Sequence, residues 1–116
     1  MKEGDVILVP LPQANGQRKP RPAILLRILP PFGDFLVCGV SSQLRQQVPG
    51  LDDLILRSDK DFAISGLQMD SLIRTGFLAI YTPSQIIGDI GEISSERHRR
   101  LLKQLAEFLV SPKRFA

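Results

Sequence analysis

Three basic side chains flank two prolines directly before an apolar run, in the stretch NGQRKPRPAILL. They are Arg18, Lys19 and Arg21. A guanidinium group presents a planar fork of donors, so an arginine can bind a phosphate group through two hydrogen bonds at once. The prolines on either side of Arg21 restrict the backbone around it. Phosphate binding is therefore one explanation of the pattern, and a solvated basic loop that protects an edge strand is the other.

A second polar group ends the third apolar segment of the chain. It consists of Ser41, Ser42 and Gln43, which follow FLVCGV. By itself such a group is typical of an ordinary turn after a strand. Arg74, in DSLIR, could extend a basic surface, although an arginine on the solvent side of a strand explains it equally well.

The densest basic run lies near the C-terminal end. Its members are Arg97, Arg99, Arg100 and Lys103. We predict that this run is the solvated side of a helix, because two nearby glutamates dilute its charge and it contains no aromatic residue for base stacking. His98, inside the run, precedes leucines at helical spacing, which predicts a partly buried position.

The composition limits the classes of protein that this chain can be. Its 116 residues, 43% of them hydrophobic, suffice for one compact domain, which we place at residues 1–110, with a C-terminal tail at 111–116. A single cysteine, Cys38, and a single histidine cannot form an internal disulfide or a zinc site, so we expect no metal and no cofactor. Cys38 is predicted to be a small core residue.

Charge and hydropathy bear on partners and location. The net charge of +3 is compatible with a polyanionic partner but does not require one. No run approaches the roughly 18 consecutive apolar residues that a membrane helix needs, and the opening MKEGDVILV lacks the pattern of a secretory signal. We therefore expect a cytoplasmic protein that makes no membrane contact.

The elements that would position the polar residues are short strands separated by turns. Strands are predicted at 5–10, 23–28, 35–40 and 53–56, with one or two more in 67–74 and 77–81. Asn15 and Gly16 mark a turn in the first connection, so Arg18 and Lys19 are expected on a loop. The segment 85–93 is ambiguous, although its glycines argue against a helix.

The hydrophobic period changes after residue 93. Ser94 or Ser95 can cap a helix, and apolar residues then recur at helical spacing until Pro112. These apolar residues are Leu101, Leu102, Leu105, Phe108 and Leu109. Short strands followed by one amphipathic helix predict a mainly β fold, in which the helix packs on a small curled sheet or barrel.

Several motifs in order carry a resemblance to a known family. The motifs are GDVILVPLP, RPAILL, VCGVSSQ, DSLIR and IIGDIGEIS, the last running into the terminal helix. Each is weak alone, but their order and spacing over nearly the whole chain resemble the MazF/PemK family of toxin endoribonucleases from bacterial toxin–antitoxin pairs. The resemblance implies an SH3-like barrel that forms a homodimer and cleaves single-stranded RNA without a metal. It also implies inhibition by an antitoxin whose extended tail occupies the RNA groove, with DNA bound only through the antitoxin.

The resemblance also assigns roles to individual residues. Arg21 stands where the family has its catalytic arginine, and Ser41 where it usually has a catalytic threonine, a change that keeps the hydroxyl. The implied RNA-binding residues are Arg18, Lys19, Ser42, Gln43 and Arg74. The loop before Pro20 lacks the acid found in many members, so the family's substrate choice does not carry over.

The implied chemistry favours one role for Arg21. Attack by a neighbouring 2′-hydroxyl builds negative charge on the non-bridging oxygens of the phosphate, and donors aimed at that charge lower the barrier. Because a guanidinium stays protonated at neutral pH, we favour charge stabilisation by Arg21 over a role as general base. Two alternatives are a CcdB-type protein that binds DNA gyrase and a catalytically silent relative that binds only RNA or antitoxin.

Aromatic residues that could stack on bases are few. The chain has no tryptophan, one tyrosine and six phenylalanines, most of them in apolar patterns. Phe32 and Phe35, near the turn after the second strand, are the candidates for stacking. Recognition of RNA would otherwise rest on hydrogen bonds to splayed bases and on backbone contacts.

Overall fold

In the part of the chain that the structure describes, six antiparallel strands form one sheet. The structure, a computed structural model, describes residues 1–12 and 15–111. The strands are β1 (Asp5–Pro12), β2 (Arg18–Leu29), β3 (Asp34–Ser41), β4 (Asp53–Ile55), β5 (Ser71–Tyr81) and β6 (Gly88–Glu92). They lie in the order β4-β5-β3-β2-β1-β6, with a short helix α1 (Phe62–Ser65) and a long helix α2 (Ser95–Val110). The predicted class is confirmed: a mainly β, curled half-barrel with a C-terminal helix.

Both faces of the curled sheet are buried, in two separate clusters. Side chains alternate between the faces of a strand, so Val6 of β1 packs in one cluster and Ile7 in the other. The first cluster includes Leu101 and Leu105 of α2, and the second includes Val37 and Tyr81. Burial on both faces explains why the strand interiors are nearly continuous apolar runs rather than alternating ones.

Strand β2 begins at Arg18 rather than at residue 23, which corrects the expectation that Arg18 and Lys19 lie on a loop. Prolines are compatible with the β1–β2 ladder because they occur only in every second residue pair. The pairs that contain proline are Pro12↔Arg18, Pro10↔Pro20 and Leu8↔Pro22. The pairs between them, Leu11↔Lys19 and Val9↔Arg21, can then supply the backbone donors that bind β1 to β2.

The region predicted to hold one or two strands near residues 67–81 is a single bent strand, β5. Its pairing with β3 jumps from Cys38↔Leu78 to Gly39↔Arg74, so the residues between Arg74 and Leu78 bulge from the ladder. Within the bulge, Thr75 is buried and its hydroxyl donates to the Leu51 carbonyl. The bulge also turns the next two residues of the chain, Gly76 and Phe77, toward solvent.

Helix α2 follows the predicted pattern at its start. The Ser94 hydroxyl accepts a hydrogen bond from the Arg97 amide at 3.1 Å, as an N-cap does. Leu101 and Leu105 are buried, and Leu102 and Phe108 are half-buried, whereas Leu109 is exposed. Pro112 and the rest of the predicted tail after Ser111 lie outside the described residues. Segment 85–93 contains β6 and no α-helix, in line with its glycines.

The basic run of α2 is not wholly solvated, because Arg97 is buried and Arg100 is half-buried, with its Nη2 3.0 Å from Asp53. The Nε of Arg97 lies 2.8 Å from Asp61, and its Nη1 and Nη2 lie 2.7 Å from Asp53 and 3.0 Å from Asp59. Arg99 and Lys103 are exposed as predicted. His98 is half-buried as predicted, with Nε2 2.8 Å from the Leu26 carbonyl oxygen.

The ion cluster around Arg97 links α2 to the chain segment that leads into α1. The sequence did not predict helix α1. Arg97 also donates to the Leu54 carbonyl at 2.7 Å, so each of its guanidinium nitrogens has an acceptor. Burial and the surrounding carboxylates act in opposite directions on the pKa of Arg97, and the carboxylates prevail and raise it. Arg97 therefore stays charged in the folded protein.

Acid should weaken the fold through Asp61. Burial alone would raise the pKa of this carboxyl, but hydrogen bonds from Arg97 and from the Ser94 amide hold it at about 2, below the ordinary 3.8. A depressed pKa contributes stability above the ordinary value and loses it as pH falls toward the folded one. We expect Asp61→Asn to lower the free energy of unfolding near neutral pH by roughly 2 kcal/mol. That deficit should shrink between about pH 4 and pH 2.

Urea unfolding across this pH range measures the effect. Asp89→Asn is the matched control, because Asp89 is exposed on β6. A deficit for Asp61→Asn that is the same in acid as at neutral pH would contradict the prediction.

Candidate functional site

A groove of about 840 Å³ opens where the sheet divides into two ribbons. Strands β2 and β3 stop pairing at Ala23↔Gly39. Beyond that row β2 continues with β1 to Arg18, while β3 continues with β5 to Ser41. The groove lies between the separated ends of the two ribbons. Of the residues predicted for a site, it is lined by Arg21, Ser41, Ser42, Gln43 and Arg74.

Arg21 and Ser41 reach the groove from its two sides. The β2–β3 register, continued past Ala23↔Gly39, sets Arg21 opposite Ser41 on the same face of the sheet. The Arg21 side chain is exposed, and Ser41 is half-buried. A guanidinium group and a hydroxyl group therefore line one surface. Both can donate hydrogen bonds to the oxygens of a phosphate group.

The position of the Ser41 hydroxyl is fixed by its own turn. Its oxygen accepts a hydrogen bond from the Gln43 amide at 3.0 Å. A hydroxyl has one donor and two acceptor sites, so this bond orients the oxygen and leaves the proton able to point into the groove. Ser42 and Gln43 follow on the same turn, and both are exposed.

Arg18 and Lys19 are exposed but are not among the described residues that line the groove. They lie further out on the β1–β2 ribbon, where Arg18 Nη1 donates to the Pro10 carbonyl at 3.1 Å. The structure therefore separates the predicted basic residues into two sets. Arg21 and Arg74 lie at the groove, and Arg18 and Lys19 lie along the ribbon that leads to it.

Part of the groove lining is apolar. It includes Leu67, Met69 and Ile90, which come from the segment after α1 and from β6. This segment is held close to β6 at Gly66, where φ is +75° and a Cβ would lie 2.1 Å from the Ile90 carbonyl oxygen. The groove therefore offers both polar and apolar side chains to a ligand.

Phe77 is a groove residue that the sequence reasoning missed. It is 44% exposed, and its ring lies 5.5 Å from the Arg74 guanidinium carbon. The two phenylalanines that the sequence suggests for base stacking are not at the groove. Phe35 is buried, and Phe32 is exposed but does not line the groove. The interruption TGF within an otherwise apolar strand was the available signal, because glycine inside a strand marks a bulge.

The single cysteine lies in the core, away from the groove. Burial raises the pKa of the Cys38 thiol to about 12, so the thiol is unreactive, and its predicted place in the core is confirmed. Within residues 1–12 and 15–111, no three His, Cys, Asp or Glu side chains are placed to hold a metal ion. No helix in the same residues is long and apolar enough to cross a membrane.

Comparisons with known proteins relate both the sequence and the fold to toxins. A family model described as PemK-like, MazF-like toxin of type II toxin-antitoxin system matches residues 2–109. The fold is similar to Mycobacterium tuberculosis toxin MazF-mt6, at 14% sequence identity and a TM-score of 0.67, over 91% of this chain and 96% of that chain. It is also similar to an endoribonuclease in complex with its cognate antitoxin from mycobacterial species, at 11% identity and a TM-score of 0.70, over 95% of each chain. No curated protein sequence matches the chain.

Proposed function

This chain belongs to the PemK-like, MazF-like toxins of type II toxin–antitoxin systems, and we propose that it is a metal-independent endoribonuclease that cleaves single-stranded RNA. The observation that carries the proposal is the joint presence of Arg21 and Ser41 on one groove, at the point where β2 and β3 separate. Cleavage of messenger RNA at selected sequences would inhibit translation and growth. We assign this activity to residues 1–110.

The proposed reaction is attack by a ribose 2′-hydroxyl on the adjacent phosphorus. The O2′–P bond forms and the P–O5′ bond breaks, which leaves a 2′,3′-cyclic phosphate and a 5′-hydroxyl. Solvent takes the proton of the attacking hydroxyl and returns one to the leaving oxygen. Negative charge grows on the non-bridging oxygens, where Arg21 and the Ser41 hydroxyl donate hydrogen bonds. Arg21 acts as a charge stabiliser and keeps its protons throughout.

The mixed lining of the groove suits the two partners that we propose. Its polar side chains, Arg21, Ser42, Gln43 and Arg74, bind the RNA backbone. Its apolar side chains contact apolar side chains of an extended antitoxin segment, so antitoxin and RNA compete for one groove. The antitoxin also supplies any contact with DNA.

We further propose that the toxin is a homodimer and acts in the cytoplasm, where its RNA substrate is found. Exposed apolar side chains support an interface between copies. On β5, Leu78 is 41% exposed and Ile80 is 61% exposed. Apolar side chains that neighbour each other on a strand are typical of a surface that a partner covers.

The test of the proposed activity is incubation of the purified protein with a long single-stranded RNA in EDTA, followed by mapping of the ends. The proposal requires cuts at a limited set of sequences that carry 2′,3′-cyclic phosphate ends. A panel of varied RNAs that all stay intact would exclude the activity and favour a binding protein, including a gyrase-binding one.

Arg18 should contribute to affinity and not to the chemical step. We expect Arg18→Ala to weaken binding of single-stranded RNA and to reduce the slope of log Kd against log salt by about 0.7, the share of one phosphate contact. The single-turnover rate at saturating protein should not change. Fluorescence anisotropy with a 2′-O-methylated RNA over a salt series measures this.

Arg99→Ala on α2 is the matched control for Arg18→Ala, because it removes an exposed positive charge that belongs neither to the ribbon nor to the groove lining. Identical salt slopes for wild type and Arg18→Ala would show that the β1–β2 ribbon does not bind the RNA backbone.

A further inference from the structure

Phe77 is a large apolar side chain with nearly half its surface in water. It is 44% exposed, and within the described part of the chain it is the aromatic residue that lines the groove. Removing such a side chain from water is favourable, so an exposed ring can contribute to the binding of a ligand. The proposed chemistry of Arg21 and Ser41 does not use this ring.

The ring of Phe77 is held in place by two neighbours. It covers Gly39 of β3, where a Cβ atom would lie 2.9 Å from Phe77 Cδ1, so the absence of a side chain there allows the close approach. The Arg74 guanidinium carbon is 5.5 Å from the ring centroid, within the range of a cation–π interaction. Phe77 is therefore positioned before any ligand arrives, as a binding surface should be.

The ring is next to the Arg21–Ser41 pair. Gly39 and Ser41 lie on the same face of β3, two residues apart, which is a separation of roughly 7 Å along a strand. Gly39 pairs with Ala23, which is the last residue of β2 to pair with β3. Arg21 lies two residues beyond Ala23 on β2. A phosphate bound by Arg21 and Ser41 would therefore have the ring beside it, at the distance of a neighbouring nucleotide.

We propose that Phe77, supported by Gly39 and Arg74, is a stacking surface for one base of the single-stranded RNA, beside the phosphate bound by Arg21 and Ser41. The ligand identity in this inference rests on the proposed function. An aromatic ring stacks on any base, so Phe77 supplies affinity and fixes the position of the RNA in the groove. The nucleotide on the ring is then held at a fixed distance from the phosphate that Arg21 and Ser41 bind.

The test uses single-stranded, 2′-O-methylated oligonucleotides in EDTA, each with one 2-aminopurine at a different position. Stacking on a protein ring quenches 2-aminopurine fluorescence. For wild type we expect strong quenching at one position. For Phe77→Leu we expect loss of that quenching and about a 5- to 100-fold rise in Kd.

Two further variants separate stacking from a structural role. Phe77→Tyr keeps a ring over Gly39 and should keep both the quenching and the affinity. Phe32→Leu removes an aromatic residue that is 85% exposed outside the groove and should change neither. Thermal unfolding of each variant reports whether the fold is retained.

The outcomes distinguish this inference from the proposed function. Quenching and affinity that persist in Phe77→Leu, or wild-type binding without quenching at any position, would overturn the stacking role. Absence of wild-type binding would overturn it as well. Quenching that depends on Phe77, with no cleavage of unmodified RNA by wild type, would leave the stacking surface established and would exclude the nuclease.

Discussion

Arg21→Ala should lower the single-turnover rate of RNA cleavage by at least about 10²–10³-fold, the usual effect of removing one donor from developing negative charge. The side chain is exposed on β2, so its loss should leave the free energy of unfolding nearly unchanged. Arg21→Lys keeps the charge but loses the planar fork, and its rate should fall between those of Arg21→Ala and wild type.

The matched control for Arg21 is Arg27→Ala. Arg27 is also an exposed arginine of β2, but it lies away from the groove, with Nε 3.0 Å from Glu3. Arg27→Ala should cleave at the wild-type rate. If Arg21→Ala cleaves as fast as Arg27→Ala, the groove is not the catalytic site. If Arg21→Ala unfolds instead, the arginine is structural.

Arg97→Met should destabilise the protein by about 3–5 kcal/mol, because it leaves Asp53, Asp59 and Asp61 without the buried cation that they surround. When one partner of a buried ion cluster is removed, the remaining charges stay buried without an opposite charge beside them. Urea unfolding at neutral pH measures the change. RNA binding by the fraction that remains folded should match that of wild type.

Arg99→Met is the control for Arg97→Met, since it removes the same charge from an exposed position on the same helix. It should change stability by less than about 0.5 kcal/mol. A stable Arg97→Met variant with weakened RNA binding would place the nucleic-acid interface on α2 and remove it from the groove. Adding Asp61→Asn to Arg97→Met should restore part of the lost stability, because it removes one of the unpaired charges.

Local sequence predicted the elements of this fold well. The positions of β1, β3 and β4 and the start of α2 at its Ser94 cap follow from the runs of apolar residues and from capping chemistry. The predicted start of β2, residue 23, is five residues later than the observed start at Arg18, because prolines argue against a strand. Those prolines fall on alternate rows of the ladder, and that depends on the register with β1, which no local pattern contains.

The candidate site was predictable only through the ordered motifs. Arg21 and Ser41 were singled out by family resemblance, and their catalytic roles stay predictions. Their types alone favour an ordinary basic loop and an ordinary turn over a functional site. Arg21 and Ser41 line one groove because β2 and β3 cease to pair just before them. The point at which the two strands separate is a property of the assembled sheet.

The sequence by itself determined the class of fold and the capped terminal helix, because each depends on residues close together in the chain. It also determined the order of motifs that marks the toxin family, because that order is a property of the sequence and does not require the folded structure. The tertiary structure decided that Arg97 is buried and that Phe77 faces the groove. Arg97 meets its carboxylates across 36 to 44 residues, and Phe77 is turned outward by a register shift against β3. Contacts between distant segments leave no periodic trace in the sequence, so only the folded chain reveals them.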